Sequence, residues 1–346
     1  VRRKVLIWGG ASFALLLLSA VVSLSLGSAR LPLADVWGIL LSRLPGLSHA
    51  IQPRWPDASE QIILKIRLPR IVLAILAGAC LSLAGAGFQG VLRNPLADPY
   101  TLGVASGSAV GAAFLILTGL SFGALYAQWT IPIVAFATGL LSLALVLRLA
   151  RVQGRIRMET LLLAGVVLQA FLGSMVSFMV SMSDKVINEI VFWMLGSLAL
   201  RGWSFSAVLA PYLAIGLVVL LGYARSLNLF ALGERQAAHL GIRVERTKLT
   251  VLVVSTFMTA AAVSIVGIIG FVGLVVPHLV RLLAGPDYRL LLPLSALLGG
   301  AYMLWADTLA RTLLSPTEIP IGVVTAFLGA PFFAYLLRRN KHGARG

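Results

Sequence analysis

Acidic side chains are scarce in this chain. Twelve Asp and Glu stand against 28 Lys and Arg, and charged residues make up only 12% of 346. Soluble domains carry about 25% charged residues, so an ordinary water-covered globule is excluded. The twelve acids lie in loops or at the ends of apolar runs, with Glu159 and Asp307 coming closest to the apolar interior. Ion-coupled transporters usually carry an ionisable group inside the helix bundle, so this distribution speaks against ion coupling. Cysteine is nearly absent: Cys80 stands alone in an apolar run, which excludes an intrachain disulfide and reads as a small packing residue. No GxxxxGK[ST] phosphate loop, HExxH, GxSxG or metal-ligand cluster occurs. No catalytic residue, metal or cofactor is therefore expected on this chain. No groove of interleaved aromatic and basic residues accompanies the net charge of +16. Basic residues then report topology and contact with membrane lipid rather than nucleic acid. His278, after Pro277, is the one histidine in an apolar run and reads as a packed side chain.

What the chain has instead is apolar length: 59% of it is hydrophobic, with a mean hydropathy of +0.96. Ten stretches approach the roughly 20 apolar residues a bilayer requires. They are Val5–Leu26, Ile71–Leu92, Leu102–Leu120, Thr130–Leu149, Leu161–Met182, Ser206–Tyr223, Leu249–Ile265, Ile268–Leu283, Leu290–Ala310 and Ile321–Leu337. The first reads as a retained span rather than a signal peptide. Counted by alternating loops, 19 Lys and Arg fall on one side and 9 on the other, which places both termini in the cytoplasm. The expected fold is an all-α polytopic membrane protein of about ten transmembrane helices, a single transmembrane domain over residues 1–346. Val186–Leu200 is set aside as an interfacial segment.

Gly85–Gly111 stands out within this pattern. Two runs of small residues flank Arg93-Asn94-Pro95-Leu96-Ala97-Asp98-Pro99, whose prolines and charges cannot continue a lipid-exposed helix. It reads as a polar turn between close-packed helices, beside a pathway or simply in a loop. A weak echo links this region to a second one. Phe88-Gln89-Gly90-Val91-Leu92 resembles Phe271-Val272-Gly273-Leu274-Val275, and Ala97–Tyr100 resembles Gly285–Tyr288. Spans 2–5 and 7–10 would then be inverted repeats. Gly233–Gly241, in the longest inside loop, reads as a short helix between glycines, suited to a groove on a soluble partner or to lying on the membrane surface. Arg67, Arg70 and Arg311 gather at the outer rim, where they would receive carboxylates of a docking protein or snorkel to headgroups.

The motifs IRLPR (66–70), RNPLADPYTLGVASGSAVGAA (93–113), ALGERQAAHLGI (231–242), GFVGLVVPHLVRLL (270–283), ADTLAR (306–311) and EIPIGVVTAFLGAPFF (318–333) follow one another in order. In these the chain resembles the iron-chelate and cobalamin permease family of type II ABC importers. The resemblance implies a homodimer with the pathway at its interface and two separate ATPase subunits that carry ATP and Mg. It also implies a periplasmic or lipoprotein substrate-binding protein and a bacterial or archaeal cytoplasmic (inner) membrane. By motif, Arg67, Arg70 and Arg311 would pair with glutamates of the binding protein. Gly233, Glu234, Arg235, Ala237, Ala238, His239, Leu240 and Gly241 would form the helix coupled to the ATPase. Asn94 and Leu96 would stand at the cytoplasmic gate, with Gly103, Ser106 and Gly107 along the pathway and Met158 and Glu159 at a second gate element. That second element reads Arg157-Met158-Glu159-Thr160 and lacks the paired small hydroxyl residues of cobalamin importers. The departure leans toward ferric siderophore or haem. An ion-coupled secondary transporter is the alternative.

Overall fold

The structure is a computed structural model that describes residues 2–27, 29, 31–43, 55–153, 155–183 and 185–343. Arg30, Arg54 and Arg345 of the charge count lie outside the described residues. In chain order the helices are α1 (Arg2–Ser25), α2 (Leu33–Ser42), α3 (Asp57–Gln61), α4 (Leu68–Leu92), α5 (Val104–Thr118) and α6 (Ala127–Ala150), with a π-type stretch Ile62–Arg67 joining α3 to α4. A two-residue antiparallel ladder, β1 (Arg151–Val152) with β2 (Arg155–Ile156), precedes α7 (Met158–Ser181). Then follow α8 (Ile187–Leu195), α9 (Trp203–Gly222), α10 (Ala224–Phe230), α11 (Glu234–His239), α12 (Val244–Val266), α13 (Val272–Ala284), α14 (Tyr288–Thr312) and α15 (Ile321–Gly343).

Each of the ten apolar stretches falls on a helix. Seven of the described helical segments are long and apolar enough to cross a membrane unaided, and Val104–Thr118, Val272–Ala284 and Ile321–Tyr335 are shorter. Two of these short helices have a physical cause. The chain enters α5 through the turn at Asp98–Gly103 and enters α13 through the break at Gly267–Phe271, so both start below the full span length. Irregular backbone among apolar helices needs internal partners, and these two segments supply one another. The Tyr100 hydroxyl donates to the Ile269 carbonyl at 2.8 Å and accepts from the Ile269 N–H at 3.3 Å. Glycines alone marked the boundary between α12 and α13 in the sequence, and the structure breaks there.

The helices form a buried centre and a looser periphery. In the apolar window of each span, 83% of the segment containing α4 is buried, and 72% of both α12 and α14, against 22% of α1 and α7. Backbone contact makes this centre. A Cβ on Gly78 would lie 2.2 Å from the Gly299 carbonyl, and one on Gly85 would lie 2.0 Å from that of Gly273. Between them the Ser82 hydroxyl donates to the Ser295 carbonyl at 2.6 Å. Small residues are how apolar helices approach without a water-driven force.

Overpacking such a contact costs about 1–3 kcal/mol or more. Gly85→Val should therefore lower the thermal midpoint of the purified protein. Gly222→Ala, where no atom lies within 4 Å of the added Cβ, should leave it nearly unchanged. Equal midpoints for the two variants would remove the close α4–α13 contact.

Candidate functional site

Three clusters of polar residues interrupt the apolar bundle. The first is the corner where α11, the base of α12 and the start of α7 meet. Gly233 has φ +113°, a conformation that favours glycine, and turns the chain into α11. Ala237 is buried and anchors the helix, while Arg235, Ala238, His239 and Leu240 are exposed. Glu234 faces inward to Lys248, a buried lysine on α12. The Lys248 ammonium donates to Glu234 Oε2 at 2.6 Å, to Glu245 Oε1 at 3.3 Å and to the Ile156 carbonyl at 3.5 Å. Glu245 Oε2 in turn accepts from the Ile156 N–H at 3.0 Å. A cavity of about 690 Å³ opens here, walled by Met158 and Glu159 from α7 and by Glu234, Arg235 and Ala238 from α11. The expected gate element and the expected coupling helix thus share one wall.

The second cluster surrounds the turn after α4. Arg93 closes that helix with φ +51°. The Asn94 side-chain oxygen accepts from the Leu96 N–H at 2.9 Å, and the Ala97 N–H donates to the Asn94 carbonyl at 3.1 Å. Asn94 therefore caps the turn, and both Asn94 and Leu96 are exposed. A cavity of about 660 Å³ is lined by Asn94, though not by Leu96, together with Gln89, Asn228, Arg281 and Asp287. Asp287 caps α14 by accepting from the Arg289 N–H at 3.0 Å, and it accepts from the Asn228 amide at 2.7 Å. Burial pushes the Asp287 carboxyl up, but these donors and the Arg289 charge outweigh it and hold it below the usual carboxylate range. Its contribution to stability is therefore present above the ordinary carboxylate pKa and is lost as pH falls through the depressed one. Arg281 binds the Gln89 side chain and donates to the Tyr288 hydroxyl at 3.1 Å.

The third cluster sits at the opposite ends of α4 and α14. The structure brings Arg67, Arg70 and Arg311 together, but encloses them, with relative exposures of 5%, 8% and 5%. Arg67 donates to the Leu24 carbonyl at 2.8 Å and to that of Ala29. Arg311 donates to the Leu26 carbonyl at 2.7 Å and the Ser23 carbonyl at 2.6 Å. The last carbonyls of a helix have no partner within it, and these guanidinium groups supply one at the end of α1. Arg70 donates through Nε to Asp307 Oδ1 at 2.9 Å and forks onto Glu318 at 2.9 and 3.0 Å. Arg311 completes the set at 3.4 Å from Asp307.

With these sites described, the chain was compared with known proteins. It matches the FecCD transport family over residues 15–339. The chain belongs to that family. Among its relatives is YvrB of Bacillus subtilis, an uncharacterised ABC transporter permease, 42% identical over 96% of this chain and 94% of YvrB. The cobalamin import permease BtuC of Halobacterium salinarum is 41% identical over 83% of this chain and 76% of that one. A metal-chelate type ABC transporter, solved in an inward-facing conformation, superposes with a TM-score of 0.81 at 33% identity, covering 96% of this chain and 99% of the other. This FecCD chain is accordingly a multi-pass membrane permease of ABC importer type, a transport subunit and not an enzyme.

In this structure internal carbonyls and carboxylates hold the three arginines. Asp307 is fully buried, between Arg70 of α4 and Arg311 of its own helix. An acid does therefore sit inside the bundle, compensated by two arginines rather than free to carry a proton or cation. Gly103 and Gly107 meet Ser142 and Thr138 of α6 within the same chain. They pack against a neighbouring helix, and Ser106 is half-buried. Lys248, Glu245, Glu318 and Tyr100 were missed. Only the Glu-x-x-Lys spacing at 245–248 could have flagged the first two.

Removing one partner of a buried ion pair costs about 3–5 kcal/mol. An exposed pair contributes about 1 kcal/mol or less, and the Glu318 side chain is 36% exposed. Asp307→Asn should thus lower the unfolding midpoint far more than Glu318→Gln in purified protein. The reverse order would mean that Asp307 is not the buried centre of the network.

Proposed function

We propose that this chain is the membrane-spanning permease of an ATP-driven importer that moves a metal chelate (ferric siderophore, haem or cobalamin) into the cytoplasm by alternating access. Ten spans, with inverted repeats at 2–5 and 7–10 and both termini cytoplasmic, would build each subunit. Two copies would enclose the pathway, with two ATPase subunits carrying ATP and Mg below and a periplasmic or lipoprotein binding protein above, in the cytoplasmic membrane of a bacterium or archaeon. The carrying observation is the shared cavity wall of α11 and the first turn of α7. A short, mostly exposed helix that a soluble partner can grip lines the same cavity as the start of a loosely packed span. The relatives support the chelate class: one is named a cobalamin importer and a solved neighbour is of metal-chelate type. Arg67, Arg70 and Arg311 mark the outer end assigned to the binding protein. A docking carboxylate that reaches Arg70 would replace Glu318. Against an ion-coupled secondary transporter stands the compensation of Asp307 by Arg70 and Arg311.

Proteoliposomes holding the permease with its ATPase and binding protein should accumulate one of cyanocobalamin, haemin or a ferric hydroxamate only when ATP is supplied inside. Uptake by the permease alone, driven by a proton or sodium gradient, would overturn the importer reading.

A further inference from the structure

Lys248 is the point through which the partner-facing helix reaches the start of α7. A lysine ammonium has three donors, and each finds an oxygen here: Glu234 on α11, Glu245 on its own helix, and the Ile156 carbonyl in the ladder leading to α7. A buried ammonium is tolerated only while it is paired and hydrogen-bonded. Moving α11 therefore cannot leave Lys248 behind without stripping a buried charge of a partner. Glu245 doubles the connection, since one of its oxygens holds Lys248 and the other holds the Ile156 N–H. Ile156 is itself buried and stands two residues before Met158, the first residue of α7. No other hydrogen bond or ion pair among the described residues joins α11 to the 151–156 ladder.

We propose that Lys248 is a positioning residue that converts displacement of α11 into displacement of the first turn of α7, through Glu234 on one side and Glu245 with Ile156 on the other. The proposal rests on the importer reading, because it takes the ATPase as the source of the displacement. It adds the path. The ammonium has no free donor: it faces two carboxylates and a carbonyl, while Arg157, Arg235, Arg243, Arg246 and Glu159 line the same cavity. The link is thus a fixed strut rather than a charge waiting for a ligand.

The test uses Arg157→Cys as a reporter, an exposed position at the N-cap of α7. Cys80 is fully buried and silent to a maleimide. In the assembled complex, reporter labelling should differ by about fivefold or more between the nucleotide-free and the ATP–vanadate states. Lys248→Met should bring that ratio to about one while ATP hydrolysis persists, and Lys248→Arg should recover part of it. Should Lys248→Met fail to assemble, Glu245→Gln, nearly isosteric, must reduce the ratio as well. A ratio unchanged in either variant, or lower hydrolysis and midpoint with the ratio intact, overturns the proposal and leaves Lys248 a structural residue. A parent complex with no nucleotide-dependent labelling overturns it too. A complex that shows the ratio and its loss in Lys248→Met, yet imports none of the three chelates, overturns the importer reading alone.

Discussion

The bundle depends on the distance between α4 and its neighbours. Where a carbonyl of α14 or α13 stands 2.2 or 2.0 Å from the place a Cβ would occupy on α4, two helices touch backbone to backbone. Such contact needs glycine on at least one side and gains its energy from close packing rather than from expelled water. It also holds the two broken segments in register, because Tyr100 meets Ile269 only if α4, which leads into the first segment, lies tight against α13, which follows the second. The same geometry lets the Ser82 hydroxyl and the Gln89 amide bond directly to backbone carbonyls across the contact.

Charge is then confined to the ends of this centre, and at each end it is buried with compensation. At one end two arginines straddle Asp307 while carbonyls of α1 take up the remaining donors. At the other, one lysine binds two glutamates. Buried pairs add little net stability compared with apolar packing, yet breaking one is costly. Their effect is to fix which elements stay together. The Asp307 set fastens α1, α4 and α14 to the segment before α15. The Lys248 set fastens α11, α12 and the ladder before α7.

Much of this was legible in the residues. Ten apolar stretches became ten helices because length and hydropathy leave a membrane chain few options. The glycines at 267–273 marked a break, and the turn after α4 was readable from Asn94, Pro95 and Pro99. What could not be read was partnership. IRLPR and ADTLAR display arginines near a rim, but only the fold shows that Asp307 lies between them and that the end of α1 covers them. Likewise Gly103 and Gly107 are small for a reason the sequence announces, whereas the surface they meet, that of α6, is a matter of tertiary contact. Lys248 looked like one basic residue among several in a cytoplasmic loop. Its burial depends on Glu234 and Ile156, 14 and 92 residues away, and no local pattern carries that information.

The contrast in burial between helices bears on which parts move. α12 carries Lys248 at its base and is packed into the centre against α4, so it offers a fixed bearing. α7 is mostly peripheral, and its middle meets the turn at 98–103, where Gly165 lies against the Thr101 carbonyl and Gln169 binds the Tyr100 carbonyl. A shift of α7 therefore bears on that turn. That turn is the segment whose hydroxyl closes the break between α12 and α13. A force applied at an exposed six-residue helix on one face thus has a continuous bonded route to the irregular backbone in the middle of the bundle. Helical backbone in such surroundings has no spare hydrogen bonds to rearrange, whereas the segments at 98–103 and 267–271 already bond outside any helix and can exchange partners at lower cost.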